Sequence, residues 1–504
     1  MDAPSLSYRR LVANVLAGTG SRLAAIATAL ALATVLVRVL GLAAYGTWAF
    51  FFVLVGYNGQ FDLGLSVAVE RAVARAAGRG DRSRIDPLLN AGLAMSVALS
   101  IGLQLVVALP PLEAWLARLG DPAVVRGCLR VLPACLLCSN VAAVAGAGLA
   151  GLQRTTTLAR QRVIMGAIAA LAVVALAIAG VRRLDLLLVT YAVGLLATAG
   201  LSWRAVRRDV PDLRAAPWRL DRGAARELAR VGGTLQATHL LAQAGDQGLR
   251  LILGSAFGPA AIGLYDLASR AAIAPRSLMA ALLTALVPFA AAREGVGGTP
   301  ALSDAFRRAT RYATLLIAAG TFAGVFVGGP FMTLWLGAAG GGADDARRVL
   351  ERLLVALALQ SITSPMVALA RAAGRPGAEA IATALAQPVG LAAAAHAAGL
   401  VDAVTVYAAV TTSAAVILWW WLKTRLDLEG LAAREVVALV IATAGAALAA
   451  AAARAACDAL TAGPMATLVL VPTATVVTLA TLALLAGAIS ADERRLLRQF
   501  AFGR

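Results

Sequence analysis

The sequence predicts an all-α polytopic membrane protein, and three observations lead there. The 504 residues are 60% hydrophobic and only 14% charged, with a mean hydropathy of +0.80. A soluble chain of this length could not cover so much apolar area with so few charges. Apolar stretches of membrane-spanning length, ~18 residues or more, recur from Leu11 to Ile489. Arginines gather in alternate gaps between them, as the positive-inside rule requires. The longest polar interruption, Arg204 to about Arg230, falls short of the ~50 residues of the smallest independent domains. This excludes a soluble catalytic domain.

About fourteen spans are expected, each near the ~20 residues a bilayer needs. They lie at 12–37, 44–68, 87–111, 124–150, 161–181, 184–203, 231–256, 260–290, 309–336, 350–371, 378–399, 401–422, 433–456 and 464–489. With the N-terminus inside, the inner segments hold thirty-one basic residues and the outer segments ten. Arg22, Arg250, Arg270 and Arg276 lie within spans. This bias places both termini on the inner, cytoplasmic side of the membrane. The net charge of +18 comes from arginines spread thinly along the chain, with Lys423 as the one lysine. That dispersal argues against nucleic acid as a partner.

An internal repeat divides the chain. Residues 41–48 read GLAAYGTW and residues 258–265 read GPAAIGLY, at a constant offset of 217. Gly41, Ala43, Ala44 and Gly46 match Gly258, Ala260, Ala261 and Gly263, and Trp48 and Tyr265, at the same offset, are both interface-type aromatics. Each segment sits between the first and second spans of a six-span set. The expected organisation is therefore an N-terminal six-helix bundle over 1–203 and a basic cytoplasmic linker over 204–230. A C-terminal six-helix bundle follows over 231–422, then two accessory helices and a basic tail over 423–504. An even number of spans per half makes the halves parallel repeats.

Polar groups inside spans are costly and mark candidate sites. Gln236, His239, Gln243, Asp246 and Arg250 follow one another at steps of 3, 4, 3 and 4 in the seventh span, on one helix face. Such a stripe lines a cavity or packs on another polar helix. In the first span Asn14, Gly18 and Arg22 recur every fourth residue, and Arg22 matches His239 by the repeat offset. The second span holds Asn58 and Asp62. The eighth holds Asp266 and Arg270, whose plainest reading is a neutralised i,i+4 pair. His396 stands alone near an outer end and reads as an interface residue. Cys128, Cys135 and Cys138 sit in an apolar setting that reads as packing rather than a redox or zinc site. There is no phosphate-binding G-x-x-x-x-G-K-[ST], no G-x-S-x-G and no H-E-x-x-H. The chain reads as a non-enzyme without bound metal or cofactor.

Several stretches carry a family resemblance. YGTWAFFFVLVGYNGQFDLGLSVAVERAVA (45–74), AGLQR (150–154), IGLYDLASRAAIAPRSLMAALLTALVPFAAA (262–292), LWLG (334–337) and ALARAAGRP (368–376) recur in order along the chain. Together they resemble the O-antigen and exopolysaccharide flippases, the Wzx-type branch of the multidrug/oligosaccharidyl-lipid/polysaccharide (MOP) exporter superfamily. The resemblance implies two six-helix bundles around a central cavity, alternating access, and an undecaprenyl-diphosphate-linked glycan as substrate. The implied partners are membrane lipids and polysaccharide polymerase or export machinery. The first span lacks the arginine-rich pattern associated with the peptidoglycan-precursor branch.

A diphosphate needs basic groups and a glycan needs amides. Arg22, Arg250, Arg270, Asn58, Gln236, Gln243 and His239 are the expected substrate-binding residues. Asp62 and Asp246 are the candidates for coupling to a proton or sodium gradient or to the membrane potential. Two rivals are a cation-coupled multidrug exporter of the same superfamily and a membrane glycan polymerase or ligase. The first calls for a net acidic cavity and twelve spans. The second calls for a large outer loop with catalytic arginines and histidines, and the longest outer loop here, Gly337 to Arg348, has no histidine.

Overall fold

The computed structural model describes residues 24, 26–56, 65–107, 109–110, 114, 116–337, 342–372, 377–426 and 430–488, and at 103, 107, 118, 231–244, 278–302, 305 and 371–372 the backbone alone. Helices account for nearly all of it, and no strand occurs among the described residues. In chain order they are α1 (Ile26–Leu40), α2 (Leu42–Gly56), α3 (Leu65–Gly78), α4 (Ile85–Val107), α5 (Pro122–Gly151), α6 (Thr155–Ile178) and α7 (Leu184–Asp209). There follow α8 (Arg222–Phe257), α9 (Pro259–Leu336), α10 (Ala343–Ala372), α11 (Gly377–Ala395), α12 (Leu400–Leu426), α13 (Ala433–Ala459) and α14 (Pro464–Leu485). Among the described residues ten helices are long and apolar enough to cross a membrane. The chain is a multi-pass membrane protein. The helix α8 is long enough too, but the polar residues along it lower its hydropathy.

Helix boundaries follow local chemistry. Asp121 caps α5 by accepting from the Ala123 amide at 2.8 Å, with Pro122 in the first turn. Asp221 caps α8 by accepting from the Gly223 amide at 2.7 Å. The breaks before α2 and α9 fall at Gly41 and Gly258, with φ of +83° and +84°. These are the matched first glycines of the repeat, so the two copies share a left-handed hinge that only glycine adopts cheaply.

The chain forms two compact units. One comprises Met1–Arg270 with Thr383–Tyr407, the other Ala271–Ala382 with Ala408–Arg504. These units are drawn by packing and cut across the repeat-based division at 203 and 231.

In the first unit, α3, α4, α5 and the start of α8 share a core. Without water to drive helices together, close packing of small residues does the work. Ala68, Ala72 and Ala76 recur every fourth residue on the buried face of α3. A Cβ on Gly151 of α5 would lie 2.8 Å from the Glu70 carbonyl oxygen of α3, so only glycine permits that approach. The expected linker 204–230 is mostly helical, as the ends of α7 and α8; only 210–221 is not. That segment is pinned rather than free. The amides of Arg214 and Ala216 donate to Asp86 and Asn90 of α4 at 2.8 and 2.7 Å, and Leu213 is buried.

In the second unit, α13 buries Ala438, Ala442, Ala446 and Ala450 at four-residue spacing. The first three join Leu479 and Ala483 of α14 and Leu315 of α9 in one core. Arg311 of α9 pairs with Glu435 of α13 at 3.2 Å. The helix α9 corrects one expectation. A break was expected between spans 260–290 and 309–336, yet the backbone is helical throughout its 78 residues. It is not a rod, however. A Cβ on Gly320 would lie 2.6 Å from the Cβ of Pro275, two positions a straight helix would hold about 68 Å apart. The helix turns back between them, so the two expected spans are neighbours joined by a helical bend.

Candidate functional site

The first unit buries a network of ionised and phenolic side chains where α2, α8 and the start of α9 meet. Its centre is Asp266 of α9, whose side chain is 2% exposed. Arg250 of α8 donates from Nη1 to Asp266 Oδ1 at 2.9 Å. Arg270, one turn further along α9, donates from Nε to Asp266 Oδ2 at 2.6 Å. The Tyr45 hydroxyl of α2 donates to the same oxygen at 2.5 Å. Arg250 also donates from Nε to Asp246 Oδ2 at 3.2 Å, and the Tyr265 hydroxyl donates to Asp246 Oδ1 at 2.8 Å. Among the described residues two arginines and two aspartates balance each other's charge, as a low-dielectric setting favours.

Aromatic rings wall it in. Tyr45, Trp48 and Phe52 share one face of α2 at steps of 3 and 4. Trp48 stacks on Phe52 at 4.2 Å, and Phe52 meets Tyr191 of α7 edge-on at 4.7 Å. The Arg270 guanidinium lies 5.6 Å from the Phe52 ring centre, and that of Arg250 lies 5.1 Å from the Tyr265 ring centre. Trp48 and Tyr265, expected as interface aromatics, are buried here. The reason is the contact they belong to. A Cβ on Gly46 would lie 1.8 Å from the Pro259 carbonyl oxygen, and a Cβ on Gly263 would lie 2.9 Å from the Leu42 carbonyl oxygen. Pro259 is the repeat counterpart of Leu42, and Gly263 that of Gly46. The two copies thus cross reciprocally, as a local two-fold relation requires, and the crossing encloses their aromatics.

Asp246 is the open member of the network, its side chain 36% exposed against 4% for Arg250. Next to it Gly245 lies against α11 and α12. A Cβ there would fall 1.8 Å from Gln387 Oε1 and 2.8 Å from the Tyr407 hydroxyl, which itself donates to Gln387 at 2.5 Å. Gln247 is buried, and among the described residues neither of its side-chain amide atoms has a hydrogen-bond partner.

Of the residues singled out in the sequence, Asp246, Arg250 and Arg270 come together here. Arg250 and Arg270 were expected to face a diphosphate. In this structure they are buried and hold Asp266: Arg250 meets Asp246, four residues before it, and Asp266 across the helix pair, while Arg270 meets Asp266, four residues before it. Gln236, His239 and Gln243 lie on the same helix as Asp246 and Arg250, within the stretch described by backbone alone. Arg22, Asn58, Asp62 and the C-terminal tail lie outside the described residues. His396 is exposed and its Nδ1 lies 2.8 Å from the Ala392 carbonyl oxygen. Cys128, Cys135 and Cys457 are buried and all four thiols are free. No cluster of side chains able to hold a metal occurs among the described residues. Tyr45, Phe52, Gln247, Gln387 and Tyr407 are the residues that sequence reasoning passed over.

Comparison with known proteins places this arrangement. Residues 35–339 match the model of a family described as polysaccharide biosynthesis protein. The fold is similar to that of the lipid II flippase MurJ in an inward closed conformation. That match has a TM-score of 0.69 and 11% identity, and covers 97% of this chain and 100% of that one. It is also similar to an inward-facing multidrug resistance MATE family transporter of the MOP superfamily, with a TM-score of 0.66 and 19% identity over 79% of this chain and 94% of that one. A MOP superfamily transporter from Pyrococcus furiosus matches with a TM-score of 0.57 and 17% identity, over 82% of this chain and 95% of that one. No curated protein matches the chain. The chain therefore belongs to the polysaccharide biosynthesis protein family and is built on the fold of the MOP-superfamily transporters.

Proposed function

We propose that this protein flips a polyprenyl-diphosphate-linked oligosaccharide from the cytoplasmic to the periplasmic leaflet of a bacterial inner membrane. The observation that carries this reading is the family match over residues 35–339. Alternating access between two pseudo-symmetric six-helix bundles, with α13 and α14 as accessory helices, is the mechanism the repeat supports. The reciprocal crossing of α2 and α9 gives that repeat a structural basis.

The buried network suggests a division of labour. Arg250, Arg270 and Tyr45, converging on Asp266, form a buried strut that fixes α2, α8 and α9 to one another. Arg22, Asn58, Gln236, His239 and Gln243 are left as the groups for the diphosphate and the sugars. The expected span 12–37 that holds Arg22 contains no Asp or Glu, so a diphosphate is a fitting partner for its guanidinium fork. Asp246, the open end of the network, and Asp62 are the coupling candidates for a proton or sodium gradient. A multidrug exporter is the second reading, favoured by the likeness to the MATE family transporter.

The test is complementation of surface glycan display in a strain lacking the protein. Arg22→Ala is expected to abolish display at normal membrane abundance, and Arg22→Lys to restore only part of it. A loss of display that tracks protein level, or full display with Arg22→Ala, removes Arg22 from substrate recognition. Unchanged display in the deletion strain, with loss of drug efflux, favours the exporter.

A further inference from the structure

A second site lies away from the buried network, at the ends of α6 and α7 that the arginine distribution places at the inner membrane face. A cavity of about 590 Å³ opens there, lined by Thr157 and Gln161 of α6 and by Leu201, Arg204, Ala205, Arg207 and Arg208 of α7. Its walls are fixed. The Ser202 hydroxyl donates to Gln161 Oε1 at 2.9 Å across the helix pair. Further along the pair the helices close up, where a Cβ on Gly194 would lie 2.4 Å from the Cβ of Ala169. At the ends of the same helix pair Arg154 grips Asp209 with a two-pronged bond, Nε at 3.2 Å and Nη2 at 2.8 Å.

Charge decides what this cavity accepts. Asp209, the carboxylate next to the arginines in sequence, is taken by Arg154. Among the described residues, Arg204, Arg207 and Arg208 have no carboxylate partner, and all three are exposed. Three guanidinium groups at one cavity repel each other unless an anion joins them. Gln161 accepts from Ser202 with its oxygen, which leaves its amide hydrogens to donate.

Hydropathy decides what form the anion takes. Ile164, Ile168 and Leu171 continue the Gln161 face of α6 at steps of 3, 4 and 3, and all are exposed. On α7, Leu201 and Val193 continue the Arg204 face and are exposed as well. A cationic cavity continued by two apolar stripes of membrane helix has the polarity of a phospholipid: an anionic head at the water interface and chains along the helices. We infer that this cavity binds the headgroup phosphate of an anionic glycerophospholipid of the inner leaflet, with Arg204, Arg207 and Arg208 as its ligands. The inference stands whether or not the proposed glycan substrate is right.

The experiment uses the full chain, purified in a mild detergent, titrated with phosphatidylglycerol, phosphatidylcholine or undecaprenyl diphosphate and read by native mass spectrometry. A triple variant Arg204→Ala, Arg207→Ala, Arg208→Ala is compared with Arg126→Ala, Arg130→Ala, Arg182→Ala, which removes the same charge from exposed positions at the opposite ends of the helices. The site variant is expected to weaken phosphatidylglycerol binding by at least about tenfold and to leave phosphatidylcholine binding unchanged. The control variant is expected to bind as the parent does. Equal losses in both variants, or no loss in either, overturn the proposal. Full competition by millimolar inorganic phosphate would make this a free-anion site and not a lipid site. If the site variant loses undecaprenyl diphosphate but keeps phosphatidylglycerol, the cavity belongs to a lipid-linked substrate and the assignment is wrong.

Discussion

Asp266 holds three donors from three helices inside a membrane protein, and its removal should be felt more than that of any other member of the network. With Asp266→Asn the carboxylate charge disappears while Arg250 and Arg270 stay buried and cationic. Breaking a buried pair from one side costs about 3–5 kcal/mol. Tyr45→Phe removes one hydrogen bond and keeps the ring, a loss of about 1–2 kcal/mol. Thermal unfolding in detergent, followed by fluorescence-detected size exclusion, should rank Asp266→Asn well below Tyr45→Phe, with the double variant close to Asp266→Asn because both touch one oxygen. Equal midpoints for Asp266→Asn and the parent would show that the network is not a strut. Part of this was legible in the sequence. Asp246 with Arg250, and Asp266 with Arg270, stand four apart, and a helix forces such pairs to meet. That Arg250 reaches Asp266, and Tyr45 reaches it from a helix 221 residues away in sequence, depends on how helices cross. One signal was available and unused: Tyr45, Trp48 and Phe52 repeat at helical spacing just as the polar stripe does. Gln247 is another, four residues after Gln243 and three before Arg250.

At the scale of elements, the crossing of α2 and α9 is set by two glycines that the repeat had marked. Gly46 and Gly263 each touch backbone of the opposite copy, so no neighbouring side chain can move aside for a larger residue. Gly46→Ala and Gly263→Ala should each lower stability. Their sum should exceed the effect of the double variant, because one displaced crossing relieves both clashes. Gly41→Ala meets open space, and its cost, about 1–2 kcal/mol, comes from the left-handed backbone alone. The same unfolding measurement checks all four. A Gly46→Ala protein as stable as the parent would mean the crossing is looser than described. The sequence showed the repeat as letters at a fixed offset; it could not show that the copies pack on each other, since identical spacing serves equally well for segments far apart. Nor could it show the helical bend in α9. The gap between the spans at 260–290 and 309–336 follows from hydropathy, which is local, and the antiparallel placement of Pro275 and Gly320 is not.

At the scale of the whole molecule, two claims remain to be measured, orientation and transport. The excess of arginine in alternate segments puts α6 and α7 with their basic ends inside, which the lipid site also needs. Cysteines at Arg79 and Arg222, in a cysteine-free background, should resist an impermeant thiol reagent added to intact cells, and a cysteine at Arg182 should react. The reverse pattern would invert the topology. Membrane class and family were legible because hydropathy and the ordered motifs are properties of the sequence itself. The surface proposed to bind substrate was not, because a sequence shows which residues share a helix face but not which faces enclose a cavity. The most direct test of the central claim is the sidedness of the lipid-linked oligosaccharide. In spheroplasts depleted of this protein, a membrane-impermeant glycan-binding probe should find the intermediate inaccessible, and restoring the protein should expose it at the outer face within one expression cycle. An intermediate equally accessible with and without the protein would contradict the account.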